Sequence, residues 1–252
     1  MRLVWHGTAS IEIVSESGRL LFDPFIPLKG SPVPVKLADF DGFTDIFVTH
    51  GHLDHILSIP DVARRNPEAR IFCTQTPYYT LLKKGVAAEA LRIVRFGDVL
   101  KVGDFTIRAL HGKHAVLPKA TPSRSARILA SPARGNLPRI LLAHLTSPEN
   151  DECVFYVVEA GEKTVCLMGS MNLRGGVEYP TGADMLVLPY NGWEDCFPPA
   201  VGIIERLGPK RVALDHYDDT FPPLTAPVDL QPILDKYKGR VFAMELGKSV
   251  EV

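Results

Sequence analysis

The sequence predicts an α/β fold in which two β-sheets pack against each other between layers of helices. Short apolar segments typical of strands precede helical segments in both halves of the chain, which is the pattern of sheets covered by helices. The 252 residues are 46% hydrophobic and 23% charged, so the chain can build a sizeable core. No internal repeat is evident. We therefore expect a single domain over 1–252, whose two halves join near 116–138.

The first half of the chain reads as a series of short strands with two helices. Ser17-Gly18 and Gly103-Asp104 mark turns between strands, and Pro77 stands at a favoured position early in a helix. The strands are predicted over 3–5, 10–14, 19–22, 46–49, 70–73, 92–94, 99–102 and 105–110, and the helices over 60–66 and 76–82.

The second half begins with the segment 116–138, which is rich in Pro, Ser, Ala and Arg and is typical of a long loop or lid. Helices are predicted over 199–207, where Gly208-Pro209 gives a stop signal, and over 232–238. The strands of this half are predicted over 140–144, 153–158, 164–168, 185–188 and 211–214.

The run from Thr49 to His55, T-H-G-H-L-D-H, carries three imidazoles and one carboxylate between a predicted strand and a predicted helix. Imidazole nitrogen and carboxylate oxygen are ligands that zinc prefers. His50 and His52, two apart on an extended chain, can face one ion, whereas Asp54 and His55 lie beyond the turn and can face another. The run predicts a metal site for one or two Zn²⁺ ions per chain, with Mn²⁺ or iron as alternatives.

A metal site needs more ligands than one loop supplies, and other histidines directly follow predicted strands. His216 follows the strand over 211–214, and both His111 and His114 lie at the end of the strand over 105–110. His114 comes after the turn at Gly112, whereas His111 continues the strand, so we favour His114 as the ligand. His111 is then expected to line the pocket or to support a ligand.

These residues together resemble the metallo-β-lactamase fold superfamily, whose signature is H-x-H-x-D-H. The resemblance covers nearly the whole chain, and the segments 5–10, 23–25, 184–189 and 216–222 look like the branch related to ascorbate-6-phosphate lactonase. It implies a four-layer αββα sandwich in which Asp23 orients a metal ligand. By this resemblance the ligands of the first metal are His50, His52 and His114, and those of the second are Asp54, His55 and His216.

One position departs from the pattern of this family. The family has an aspartate that bridges the two metals, in a Gly-Asp-Thr sequence after a hydrophobic strand, and Ser170 stands there in this chain. Because a neutral hydroxyl is a poor zinc ligand, the second metal is expected to bind weakly, to be missing, or to recruit another side chain. The candidates for that role are Asn172, Asp215 and Asp218. The anionic group of a substrate is a further way to complete the site.

The resulting hypothesis is a metal-dependent hydrolase in which metal-bound hydroxide attacks a small anionic ester, lactone or phosphoester. Asp54 would bind metal and orient the nucleophile. One alternative is a non-catalytic or sensor protein with a single metal, which Ser170 favours. A di-iron redox protein is disfavoured, because such members carry Glu where this chain has His52.

Two features bear on the substrate. The span 105–148 contains no Asp or Glu but seven Lys and Arg residues, among them Arg124 and Arg127, and a basic lid over a metal site would attract an anion. Tyr190 and Trp193 follow a strand and can offer aromatic groups to a pocket. The alternatives are a solvated loop for the first feature and a turn buried in the core for the second.

Composition narrows the partners and the compartment. A net charge of −1 neither favours nor disfavours a nucleic-acid partner. The basic residues are not interleaved with aromatic residues, so nucleic acid is not an expected partner. Four cysteines form no C-x-x-C pair and are typical of buried thiols in a reducing compartment. Because no signal peptide and no membrane span are evident, a cytoplasmic protein is expected. The oligomeric state is left open.

Overall fold

The computed structural model describes residues 1–116, 121–193 and 195–252. Lys119 and the side chain of Arg124, both part of the predicted basic lid, lie outside the described residues. The described strands are β1 (Arg2–Trp5), β2 (Ile11–Val14), β3 (Arg19–Phe22), β4 (Asp45–Phe47), β5 (Arg70–Cys73), β6 (Leu91–Ile93), β7 (Val99–Val102), β8 (Phe105–His111), β9 (Val154–Ala160), β10 (Lys163–Met168), β11 (Met185–Pro189), β12 (Arg211–Asp215), β13 (Val241–Ala243) and β14 (Ser249–Glu251). The described α-helices are α1 (Leu53–Ile56), α2 (Ile59–Arg65), α3 (Gln75–Lys83), α4 (Pro122–Ala130), α5 (Leu137–Thr146), α6 (Phe197–Leu207) and α7 (Gln231–Lys236).

These strands form two seven-stranded sheets. The first has the order β14-β1-β2-β3-β4-β5-β6, and the second has the order β13-β12-β11-β10-β9-β8-β7. Each sheet is mixed. In the first sheet, neighbouring strands are antiparallel along β14-β1-β2-β3. In the second sheet, they are antiparallel along β7-β8-β9-β10. The remaining neighbours are parallel, along β3-β4-β5-β6 in the first sheet and along β10-β11-β12-β13 in the second.

Apolar side chains form three layers of core, as expected for sheets that are covered on both faces. Between the sheets, Phe22 and Phe47 of the first sheet pack with Tyr156 and Val187 of the second. On the outer face of the first sheet, α1, α2 and α3 bury their apolar residues, and α6 and α7 do the same on the second sheet. The predicted α/β fold of the αββα sandwich type is therefore confirmed.

The predicted strand over 140–144 is wrong, because this segment lies in the helix α5. Ile140 and Ala143, three residues apart, face the same side of the helix and are buried in one apolar cluster with Phe25 and Leu53. A run of five mostly apolar residues fits a strand or a buried helix equally well by periodicity. Pro138 in the first turn favours the helix, because its missing N–H would have no partner there.

The segment 116–138 also differs from the expected loop between two halves. Its described part contains α4 and a 3₁₀ helix over Pro132–Asn136. The segment belongs to the connection between β8 and β9, which are neighbours in the second sheet. The chain passes from the first sheet to the second earlier, between β6 and β7. None of the described helices is both long and apolar enough to cross a membrane.

Candidate metal centre

The histidine-rich run lies between β4 and α1, at the edge where the sheets meet. His50 precedes the short helix α1, His52 is the residue that begins it, and Asp54 and His55 lie within it. His114 and His216 follow the ends of β8 and β12. Strands of the same direction end at the same edge of a sheet, so these chain-distant histidines reach the run.

The structure brings the six predicted ligands into two groups of three. His50, His52 and His114 form one group, and Asp54, His55 and His216 form the other. Within each group the possible ligand atoms all lie within 4.8 Å of one another.

Short distances join the members within each group and the two groups to each other. His52 Nδ1 lies 3.0 Å from His114 Nε2, and His216 Nε2 lies 3.0 Å from Asp54 Oδ2. The rings of His50 and His55, one from each group, have centroids 3.9 Å apart. The groups therefore form one continuous site.

The chemistry of these donors fits a bound metal. His50 Nε2 is buried and has no hydrogen-bond partner among the described residues, although an unpaired buried polar atom normally costs free energy. A cation held together with His52 and His114 would use that lone pair. Three protein donors per group would leave a coordination position for water or substrate on a bound ion, as in catalytic zinc sites.

Protonation states differ between the two groups. Burial, together with the neighbouring histidines, lowers the pKa of His50, and burial and His114 lower the pKa of His52 to about 4. Burial opposes protonation of His216 as well, but its hydrogen bond to Asp54 prevails and raises its pKa to about 9. For Asp54, burial favours the neutral acid, yet His55 and His216 lower the pKa of its carboxyl. The first group is thus neutral at pH 7, whereas the second contains an ion pair.

Asp23 lies beside the second group of candidate ligands. The side chain of Asp23 is fully buried, and its Oδ2 lies 2.8 Å from His55 Nδ1. The other ring nitrogen of His55, Nε2, lies 3.5 Å from Asp54 Oδ2. The other carboxylate oxygen of Asp23 accepts a hydrogen bond from the backbone N–H of Thr49 at 2.8 Å. A carboxylate that holds the far nitrogen of a histidine ligand fixes the orientation of that ring.

The structure separates His111 from His114. The ring of His111 stacks on Phe96 with centroids 3.8 Å apart, and its Nε2 lies 2.9 Å from the carbonyl oxygen of Asp151. It does not reach either ligand group, whereas His114 belongs to the first. The choice of His114 from the turn at Gly112 therefore agrees with the geometry.

The residues considered as replacements for a bridging carboxylate mostly bind backbone atoms. Ser170 lines the cavity, and its hydroxyl accepts the N–H of Ala115 at 3.0 Å. Asn172 donates its side-chain N–H to the carbonyl of His114 at 3.0 Å. Asp218 accepts the N–H of Thr8 at 2.9 Å. Asn172, Asp215 and Asp218 are not among the described residues that line the cavity, and Asp215 is buried.

A cavity of about 870 Å³ opens above the two ligand groups. Tyr190 and Trp193 line it, as predicted, and the Trp193 indole N–H donates to the carbonyl of Met171 at 2.7 Å. Arg127 of α4 also lines it. Further walls come from the segment 221–232, whose lining residues are Phe221, Leu224, Thr225, Ala226, Pro227, Val228, Asp229 and Pro232.

Sequence reasoning missed His144, which lines this cavity from α5. Its ring centroid lies 6.4 Å from that of His52. The signal was available in the helical spacing of Ile140 and Ala143, because a helix that buries those two residues carries His144 beside the site. The prediction of a strand over this segment concealed it.

Comparisons with known proteins agree with this geometry. A family model described as "Beta-lactamase superfamily domain" matches residues 18–217. The UPF0173 metal-dependent hydrolase of Solibacter usitatus is 27% identical over 253 residues, and the alignment covers 100% of each chain.

Solved structures share the fold at low sequence identity. A possible metal-dependent hydrolase from Veillonella parvula superposes with a TM-score of 0.65 and 17% identity, covering 100% of this chain and 99% of the other. Igni18, a metallo hydrolase from the archaeon Ignicoccus hospitalis, superposes with a TM-score of 0.63 and 19% identity, covering 99% and 97%.

Proposed function

The chain belongs to the β-lactamase superfamily and is a metal-dependent hydrolase, and we propose that it cleaves a small anionic ester, lactone or phosphoester. The observation that carries the proposal is the meeting of two groups of metal-ligand side chains at the floor of one cavity. A cavity of about 870 Å³ is of the size that encloses a small molecule.

The six grouped side chains would hold the metal. His50, His52 and His114 would bind one ion, and Asp54, His55 and His216 would bind a second. Zn²⁺ is the expected ion, because the donors are imidazole nitrogens and a carboxylate. When bound, such an ion lowers the pKa of water to about 7 and polarises the bond to be cleaved.

The chain's own side chains supply orientation and charge. Asp54 is ionised, and its carboxylate could orient the attacking water by accepting a hydrogen bond, in addition to its place among the proposed ligands. The Ser170 hydroxyl lines the cavity and can donate its hydrogen toward the substrate, since its oxygen already accepts from Ala115.

The proposed anionic character of the substrate rests on Arg127 and on the acid-free span 105–148. Two carboxylates, Asp195 and Asp229, also line the cavity. Each of them already accepts a backbone N–H near the start of a helix, from Phe197 and from Gln231 respectively. Arg127 is the one Lys or Arg side chain among the described residues that line the cavity, and its guanidinium is the group suited to bind an anion. Among anionic esters, lactones of the ascorbate-6-phosphate type are included in this proposal on the sequence resemblance.

Removal of a ligand tests the proposal. In His52→Ala, one donor of the first group is lost, and kcat/KM toward a hydrolysed substrate should fall about 10³-fold, since the metal contributes several kcal/mol. The substrate is first identified by screening phosphorylated lactones, phosphodiesters and carboxylic esters against the zinc-loaded protein. Removing zinc with a chelator should abolish turnover, and adding it back should restore it.

His111→Ala is the matched control, because it removes an imidazole three residues from His114 that belongs to neither group and does not line the cavity. Its kcat/KM should stay within about twofold of the wild-type value. Full activity in His52→Ala or in the zinc-stripped protein would contradict the proposed mechanism. Turnover of neutral esters alone would contradict the proposed substrate class.

A further inference from the structure

One hydroxyl group connects the two ligand groups from behind. Thr49 Oγ1 lies 2.6 Å from Asp23 Oδ2 and 3.0 Å from His50 Nδ1. The same Asp23 oxygen lies 2.8 Å from His55 Nδ1. His50 belongs to the first group and His55 to the second, so a continuous chain of hydrogen bonds joins them.

Counting donors fixes the direction of every bond in this chain. A carboxylate only accepts, so the single hydrogen of the Thr49 hydroxyl is donated to Asp23. The hydroxyl oxygen can then only accept from His50, which must carry its hydrogen on Nδ1. The lone pair of His50 is therefore on Nε2, the buried atom for which the described part of the chain offers no hydrogen-bond partner.

Burial prevents water from replacing this arrangement. Thr49 and Asp23 are both 0% exposed, and His50 is 1% exposed. A partner lost from such a place leaves an unsatisfied polar group, which costs about 1–3 kcal/mol.

The backbone at Gly169 packs closely against the side chain of Thr49. A Cβ atom added at Gly169 would lie 2.6 Å from Thr49 Cβ and 2.9 Å from its hydroxyl. Only glycine leaves space for Thr49 at this position. The Thr49 N–H also donates to Asp23, so both the backbone and the side chain of Thr49 are held by the same carboxylate.

We propose that Thr49 is a positioning residue that fixes the tautomer of His50 and couples the two metal positions through Asp23. This inference rests on the proposed metal-dependent function. His55 Nδ1 lies 2.8 Å from the carboxylate and 3.3 Å from the Thr49 hydroxyl, so its shorter contact is with Asp23. His50 is linked to the carboxylate through the hydroxyl, at 3.0 Å. The first group, His50, His52 and His114, should therefore depend more strongly on Thr49 than the second.

Zinc affinity of Thr49→Val, measured by competition with a chromophoric chelator, tests the proposal without any substrate. Valine keeps the branched shape but removes the hydroxyl. Loss of a partner that orients a histidine ligand typically costs 10–100-fold in metal affinity, and we expect a loss of that size at the first group. Thr49→Ser keeps the hydroxyl and should restore affinity to within a few-fold of wild type.

Thr74→Val is the matched control, since Thr74 is also buried but its hydroxyl has no hydrogen-bond partner among the described residues. It should leave zinc affinity unchanged. Wild-type affinity in Thr49→Val, or an equal loss in Thr49→Ser, would overturn the role of the hydroxyl. If the wild-type protein itself binds no zinc, the proposed function fails, and this inference fails with it.

A measurement on the unmutated chain covers the case in which Thr49→Val does not fold. Long-range ¹H–¹⁵N NMR spectra distinguish the two neutral tautomers of histidine. His50 should carry its proton on Nδ1 in chelator-treated wild-type protein. A proton on Nε2 would overturn the proposal.

Discussion

His50 and His216 show at the scale of single residues how one kind of side chain acquires opposite properties within one site. His50 is buried among other imidazoles, so its pKa is lowered and its lone pair is available at neutral pH. His216 lies against the Asp54 carboxylate, which outweighs burial and raises its pKa to about 9. His216 must therefore lose a proton before its Nε2 can bind a metal, whereas His50 needs no such step.

This contrast predicts that the two metal positions differ in pH dependence. Between pH 6 and 8, zinc binding to the first group should be nearly constant, because the pKa of His52 lies at about 4. Binding to the second group should strengthen as pH rises toward 9, since fewer His216 rings then carry a proton. Isothermal titration calorimetry in buffers of different ionisation enthalpy measures the protons released per ion. Equal proton release at both positions would contradict this assignment.

The sequence predicted which side chains come together at the candidate metal centre better than it predicted their surroundings. The histidine-rich run and the strand-end positions of His114 and His216 identified all six grouped residues, because ligand spacing along a loop is a local property. The hydrogen bond between Ser170 and Ala115 depends on distances between segments far apart in the chain. The same is true of the path from His50 through Thr49 to Asp23. No local pattern reports such contacts.

At the scale of elements, α4 and α5 form one wall of the cavity, to which they contribute Arg127 and His144. α5 is held by Ile140 and Ala143 against Phe25 and Leu53, which brings His144 to the cavity. The prediction of strands succeeded where polar turns bound short apolar runs, as at β2 and β3. It failed at α5, where the apolar run was too short for its period to decide between helix and strand.

Arg127 on α4 provides a test of what this wall contributes. Arg127→Glu replaces the cation at the cavity by an anion, and KM for an anionic substrate should rise roughly tenfold, the value of a hydrogen bond to a charged group. The value of kcat should change little. Arg134→Glu reverses an exposed charge in the same connection that does not line the cavity, and it serves as the control. An equal rise of KM in both variants would indicate a general charge effect and would contradict a binding role of Arg127.

At the scale of the whole molecule, the site exists because two sheets of similar design meet at one edge. The first sheet contributes the run between β4 and α1, and the second contributes His114 and His216 from the ends of β8 and β12. The αββα architecture could be predicted from alternating strands and helices together with the resemblance of the histidine run. The point where the chain passes from one sheet to the other could not be predicted. The segment 94–98 between β6 and β7 is short and ordinary in composition, whereas 116–138 is long and rich in Pro, Ser, Ala and Arg.

Metal content per chain, measured by elemental analysis on protein purified without chelator and then saturated with zinc, tests the central claim most directly. The two groups of three donors predict two zinc ions per chain at saturation, with one ion lost first on dialysis against a weak chelator. The second group, Asp54, His55 and His216, is expected to be the weaker position at pH 7, because zinc must displace a proton from His216, whose pKa is raised to about 9. A zinc content no higher than in a protein with both His50 and His216 replaced by alanine would contradict the account.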